Sequence, residues 1–264
     1  MTTPALVRRR VERVMGTTVT VAVPGGCPPA LLDELFAWWG WVDRTFSVHR
    51  PDSQVSLIGA GAPVPGGVHP LVDEVLDRCA ALFFETEGWF DAWPEGPTGR
   101  VDPSGYVKGW SVDVAATLLE GEGVADYCIT AGGDLRAAGC ADGGEPWRIG
   151  VQHPIERRAV AAILQATGLA VATSGAYERG PHIWGPSRDR ALLSATVVGP
   201  RLGTADALAT GLFGAGGTES DWFGRFDGYD YLIIGTDHRL RTTQGLRRFL
   251  LPPSPESGGS PSAP

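Results

Sequence analysis

The chain has 264 residues, 43% hydrophobic and 20% charged, which supports a substantial core and excludes a disordered or fibrous polypeptide. Net charge is −8 and the one basic run is "RRR" at 8–10, so an electrostatic grip on nucleic acid is not expected. Four cysteines (Cys27, Cys79, Cys128, Cys140) form no CxxC pair, which argues against a zinc site or a disulfide framework, and no apolar run is long enough to insert in a membrane.

The first sixteen residues are positively charged with no apolar stretch behind them, so no secretory signal is read and a cytoplasmic location is expected. "TTVTVAV" at 17–23 alternates and is β-branched, which predicts a strand. Residues 28–47 predict an amphipathic helix with proline near its start, and 70–88 a second helix ending at glycine. Between them 49–67 is expected to be loop. A glycine- and proline-rich segment, 89–109, is expected to be a long functional loop before a helix at 110–123. Residues 126–139 predict strand, glycine turn, strand. Short strands are expected at 147–154, 160–167, 168–175, 192–200 and 231–240, with a helix at 203–216 before the last. The tail, 252–264, has almost no apolar content and is expected to be disordered, leaving 1–251 as a single domain. Many short strands with little strict βα alternation predict an α+β fold of mixed or antiparallel sheets with packed helices.

Four polar islands carry candidate chemistry. In "VDPSGYVKGW" (101–110), Asp102, Ser104, Gly105 and Lys108 precede the expected helix and form either a capped turn or an anion cradle at a helix N-terminus. "TAGGDLRAAG" (130–139) is either a hairpin turn or a place where backbone approaches a ligand closely. "ATSGAYERGPHIWGP" (172–186) gathers Thr173, Ser174, Tyr177 and His182 in a loop without a hydrolase elbow, where His182 is either structural or functional. In "GTADALATGLFGAG" (203–216), Asp206 and Thr210 are four residues apart and share one helix face. Thr204 as N-cap would place Asp206 in the first turn, favoured by the helix dipole; alternatively the two oxygens hold a hard cation.

Taken in order, "MGTTVTV", "GWFDAW", "VDPSGYVKGWSVD", "ITAGGDLRAAG", "WRIGVQHP", "VATSGAYERGPHI" and "ADALATGLF" resemble the ApbE family of FAD:protein FMN transferases over roughly residues 11–245. The resemblance implies that FAD binds with Mg²⁺ (or Mn²⁺) at its diphosphate. FMN then passes to a Thr or Ser hydroxyl of a target protein and AMP leaves. The implied metal ligands are Asp206, Thr210 and the Gly105 carbonyl. The implied flavin and adenosine contacts are Met15, Phe90, Asp91, Ala92, Asp102, Lys108, Gly132, Gly133, Asp134, Thr173, Ser174, Gly175 and His182. His182 is the implied base, with Asp206 as its alternative.

Three features depart from the family pattern. Gly185 stands where the family commonly continues His-x-x-Asp-Pro, the segment before "VDPSG" is short, and no lipobox is found. The acceptor motif, Asp-Gly-x-Ser/Thr-Ala/Ser-Thr, is absent: "DGGEPW" and "DGYDYL" lack the hydroxyls, so the acceptor is expected on another chain. Two other readings stay open: hydrolysis of FAD to FMN and AMP, and a non-catalytic flavin-storage protein.

Overall fold

The computed structural model describes residues 6–94, 99–156, 158–175, 192–217 and 221–252. His182, Tyr177, Gly185 and all but the first residue of the expected disordered tail lie outside the described residues.

The strand expected at 17–23 is β2 (Thr17–Cys27), and it pairs antiparallel with β1 (Val7–Val14), which the sequence reading did not anticipate. Three consecutive arginines interrupt apolar alternation in β1, as suits an edge strand where charge discourages pairing with a further chain. Two helices follow, α1 (Pro29–Phe46) and α3 (Pro70–Glu85), as expected. Between them α2 (Gln54–Gly59) occupies part of the expected loop, started by Ser53, whose hydroxyl accepts the Ser56 N–H.

The next helix, α4 (Ser104–Gly121), begins six residues before the expected start at 110. Glycine and serine mask its first turn in the sequence. Asp102 Oδ1 accepts the Ser104 N–H at 3.2 Å, and the Pro103 carbonyl accepts the N–H groups of Tyr106 and Val107, each at 2.9 Å. The expected long loop therefore ends at 103, and Ser104, Gly105 and Lys108 belong to the helix rather than preceding it.

Strands β3 (Tyr127–Ala131) and β4 (Asp134–Ala138) flank the glycine turn, and β5 (Trp147–Gln152) pairs with β6 (Val160–Ala166) as a separate ribbon. Then come β7 (Gly168–Gly175), β8 (Leu192–Gly199), α5 (Leu202–Gly214), β9 (Asp230–Gly235) and β10 (Leu240–Thr242). The main sheet has eight strands in the order β1-β2-β3-β4-β7-β8-β9-β10, every neighbouring pair antiparallel. This is an α+β fold.

Both faces of the central strands are covered, which explains their nearly continuous apolar runs. Ala170, Ala172, Ala195, Val197, Tyr231 and Ile233 face a core shared with α1, α4 and α5. Leu169, Val171, Val198, Leu232 and Ile234 alternate with them and pack under the β5–β6 ribbon with Ile149, Val151 and Leu164. A second cluster joins α3 to the start of α4 through Val72, Val75, Cys79, Leu82, Phe90 and Val107. The layers leave α4 and α5 crossing over the sheet with their N-terminal halves adjacent.

Candidate functional site

That crossing depends on two glycines. A Cβ on Gly109 would stand 2.7 Å from the Gly203 nitrogen, and one on Gly203 would stand 3.0 Å from the Trp110 nitrogen. Only hydrogen at these positions lets the two backbones touch. The N-terminus of α5 is capped from outside. Asp113, one turn beyond Gly109 on α4, accepts the N–H of Leu202 at 3.0 Å and of Gly203 at 2.9 Å. Its Oδ1 also pairs with Arg136 of β4 at 2.5 Å. Burial acts to lower the Arg136 guanidinium, but the hydrogen bond and charge of Asp113 outweigh it and hold the group more firmly protonated than usual.

The expected N-cap role of Thr204 is thus corrected. The helix starts at Leu202, its N-cap is Arg201 without a side-chain bond, and Thr204 lies inside the first turn. Asp206 falls in the second turn, so dipole stabilisation at the first turn does not account for it.

Asp206 projects toward Lys108 of α4 instead. The Lys108 Nζ lies 2.6 Å from Asp134 Oδ2 and 3.6 Å from Asp206 Oδ2, with side-chain exposures of 13%, 0% and 5% for Lys108, Asp134 and Asp206. Asp134 is placed by the glycine turn: Ala131 pairs with Asp134 across Gly132 and Gly133, and Gly132 alone of the two has positive φ (+64°), the type II′ pattern. The β4–β7 ladder stops at Leu135 opposite Val171, and beyond it Asp134 Oδ1 accepts the Thr173 N–H at 3.0 Å. Thr173 Oγ1 is 2.9 Å from Thr196 Oγ1 on β8, and Ser174 Oγ is 3.4 Å from Thr210 Oγ1 on α5. Gly105 completes this edge, since a Cβ there would sit 3.2 Å from Thr210 Oγ1 and 3.3 Å from the Phe90 ring.

Segments spread over a hundred residues of sequence therefore bring Gly105, Lys108, Asp134, Thr173, Ser174, Asp206 and Thr210 together. Gly175 ends β7 beside them, opposite Ser194. Met15, in the β1–β2 turn, reaches α4 at Ser111, three residues beyond Lys108. It holds φ +54°, an uncommon conformation for a side-chain-bearing residue, and its Sδ lies 3.7 Å from the Ser111 hydroxyl of α4.

Other expected contacts have a local structural role. Phe90 and Ala92 are buried; Thr86 Oγ1 accepts the Phe90 N–H, and the Ala92 carbonyl accepts the Asp102 N–H at 2.8 Å. Asp91 is exposed, and its carboxylate accepts the Trp93 N–H in a turn. Asp102 starts α4 and pairs with Arg100 at 3.4 Å. Gly133 is exposed on the hairpin. Sequence reading passed over Asp113, Gly109, Gly203 and Thr196; a lone aspartate inside the apolar run "WSVDVAATLL" was the available signal for the first.

Among the described residues no three His, Cys, Asp or Glu side chains cluster as metal ligands. What the crossing offers is sparser: one buried carboxylate, a hydroxyl one turn away, and a glycine whose missing side chain leaves room beside both. Asp134, Lys108 and Asp206 sum to one negative charge in a water-poor setting. That hard-oxygen set suits a cation such as Mg²⁺, which keeps waters and draws further ligands from a phosphorylated substrate.

A family model described as the ApbE family matches residues 92–233. The FAD:protein FMN transferase of Vibrio cholerae is 38% identical over 129 residues, covering 44% of this chain and 39% of the relative. That of Salmonella typhimurium is 30% identical over 260 residues, covering 92% of this chain and 69% of the relative. Among solved structures, a flavin transferase ApbE from Vibrio cholerae superposes with a TM-score of 0.79 at 25% identity, covering 92% of this chain and 98% of that one. An ApbE protein from Thermotoga maritima superposes at 0.78 with 22% identity, covering 92% and 99% of the two chains, a likeness of fold.

Proposed function

The chain belongs to the ApbE family, and from that premise we propose that it transfers FMN from FAD to a Thr or Ser hydroxyl of a second protein, releasing AMP. The acceptor oxygen attacks the flavin-side phosphorus, the P–O–P bond breaks, AMP leaves, and the hydroxyl proton passes to a base. The observation that carries this reading is the convergence of Lys108, Asp206, Thr210, Ser174 and Gly105, from separate segments, in one charged cluster at the α4–α5 crossing.

Asp206, Thr210 and the Gly105 carbonyl would hold Mg²⁺, a helical carbonyl keeping a second lone pair for such a contact. Bound there, the ion supplies neutralisation of diphosphate charge as the leaving group departs. Lys108 adds a positive charge beside it in low dielectric, where its effect on phosphate oxygens is larger than in water. The hydroxyls of Thr173 and Ser174 and the backbone around Gly175 orient the substrate's phosphates, and Met15 packs the flavin side. His182 is assigned as the base, because a carboxylate engaged with Lys108 and a cation is less free to take a proton.

The test is incubation with FAD, Mg²⁺ and a partner protein carrying the motif Asp-Gly-x-Ser/Thr-Ala/Ser-Thr. Free AMP together with covalently flavinylated partner is the expected result. AMP with free FMN and no labelled partner establishes hydrolysis instead, and FAD retained on the protein without AMP supports flavin storage. Substitution Asp206→Ala is expected to abolish the Mg²⁺-dependent rate; an unchanged rate removes Asp206 from the ligand set.

A further inference from the structure

Asp134 is among the implied flavin contacts, yet its side chain is fully buried and both its oxygens are engaged inside the protein. Oδ1 is committed to the Thr173 N–H at 3.0 Å, just past the end of the β4–β7 ladder, which fixes the carboxylate to the sheet. Oδ2 lies closer to the Lys108 ammonium than Asp206 does, at 2.6 Å against 3.6 Å. One ammonium is thus shared unequally between two buried acids on different elements.

We propose that Asp134 is a positioning residue whose work is to draw Lys108 toward the sheet and keep it from closing on Asp206, so that Asp206 can serve a divalent cation. This rests on the reading of Asp206 as a cation ligand. A lysine ammonium is a compact charge on a flexible four-carbon stem, free to follow the strongest nearby acceptor. With Asp134 made neutral, Asp206 remains a charged acceptor 3.6 Å from the ammonium, a separation short enough to collapse to a direct hydrogen bond. A cation would then have to displace that ammonium before binding. Asp134 acts on the cation through Lys108, without touching the ion.

The inference separates from a simple field effect. Loss of any buried negative charge weakens cation binding somewhat, whether or not Lys108 is present. Repositioning of Lys108 operates only while Lys108 is there, so the two accounts predict different coupling in a double-mutant cycle.

The experiment is titration of the full chain with Mn²⁺ in the absence of FAD, followed by electron paramagnetic resonance, with circular dichroism to check folding. Asp134→Asn is the informative variant, because its amide oxygen still accepts the Thr173 N–H. It is expected to weaken Mn²⁺ binding about tenfold or more, the size usual for residues that orient metal ligands. In a Lys108→Met background the same change is expected to weaken binding several times less, by the field effect alone, the cycle coupling accounting for the rest. Equal weakening in both backgrounds overturns the proposal while leaving the ligand reading intact. Lys108→Met alone must bind Mn²⁺ at least as tightly as the wild type; weaker binding also overturns it, and this arm leaves Asp134 untouched. Asp206→Asn must lose Mn²⁺ binding, and if it binds as the wild type does, the ligand reading fails and the proposal falls with it.

Discussion

Replacing Asp113 by alanine removes a carboxylate that serves three partners at once: two N–H groups that open α5 and the guanidinium of Arg136. Loss of a helix N-cap acceptor typically costs about 1 kcal/mol. Leaving a buried cation without its partner costs about 3–5 kcal/mol, and the Arg136 side chain is only 15% exposed. Its ion pair with Glu120 at 3.4 Å is with a side chain 45% exposed and offers weak compensation. The two losses share one group and are not independent, so the expected destabilisation is about 3–5 kcal/mol, a large part of a stability of about 5–15 kcal/mol. Urea unfolding followed by circular dichroism measures it, with tryptophan fluorescence as a second probe to test that the transition is a single step. Adding Arg136→Met should recover much of the loss, since it removes the stranded charge while keeping apolar volume. A loss below about 1 kcal/mol for Asp113→Ala, or no recovery in the double variant, would refute the buried-pair argument.

Gly109→Ala sets helix propensity, a gain of about 1 kcal/mol, against a Cβ placed 2.7 Å from the Gly203 nitrogen. Backbone cannot yield cheaply there, so a lowered Tm is expected, by overpacking of about 1–3 kcal/mol; a raised Tm contradicts the close crossing of α4 and α5. Gly105→Ala should behave differently, because the neighbours at 3.2 and 3.3 Å are the Thr210 hydroxyl and the Phe90 ring. Tm is expected to hold or rise while Mn²⁺ binding weakens about tenfold, and unchanged binding counts against Gly105 in the cation site. Alkaline pH tests the core: burial pushes the Cys79 thiol and the Tyr106 and Tyr127 phenols up to about 12, from 9.0 for the thiol and 10.0 for the phenols. Groups raised on folding contribute stability that is complete below their unfolded pKa and lost as pH rises toward the folded one. Urea midpoints should therefore fall between about pH 9 and pH 12, and a flat profile there would refute the assignment.

The parts of the fold that were legible in the sequence are those whose pattern is local. The helices α1 and α3 show apolar spacing over a long window, and β7, β8 and β9 are apolar runs too short for helices. The strand expected at 231–240 breaks at a turn after Gly235 into β9 and β10, and three further features were not legible, each for a distinct reason. The alternation of β1 is hidden by arginines that an edge strand tolerates, and α2 rests on one serine cap in an otherwise loop-like segment. The first turn of α4 is written in residues of poor helix propensity, and tertiary contact at Gly105 and Gly109 selects them over better helix formers. In the candidate site, short blocks put the chemistry-bearing residues in view. Their distances were not in view, because Lys108, Asp134 and Asp206 lie on three separate elements.

The same distance in sequence explains why Thr204 looked like the cap of α5 when Asp113 is. A local rule finds a threonine near the start of a helix and assigns it the orphan N–H groups. Asp113 stands 89 residues before the first N–H it accepts, and it satisfies two of them with one carboxylate. Capping from α4 does what a local cap cannot: it fixes the start of α5 relative to the helix that carries Lys108. The separation between Lys108 and Asp206 is then set by three neighbouring constraints: the Gly109 contact, the Asp113 cap, and the tether from Asp134 to the sheet. A variant that loosens the cap should therefore disturb cation binding as well as stability. Asp134→Asn, which leaves cap and crossing alone, should disturb binding far more than stability. Measuring both quantities on both variants separates the scaffold of this site from its electrostatics.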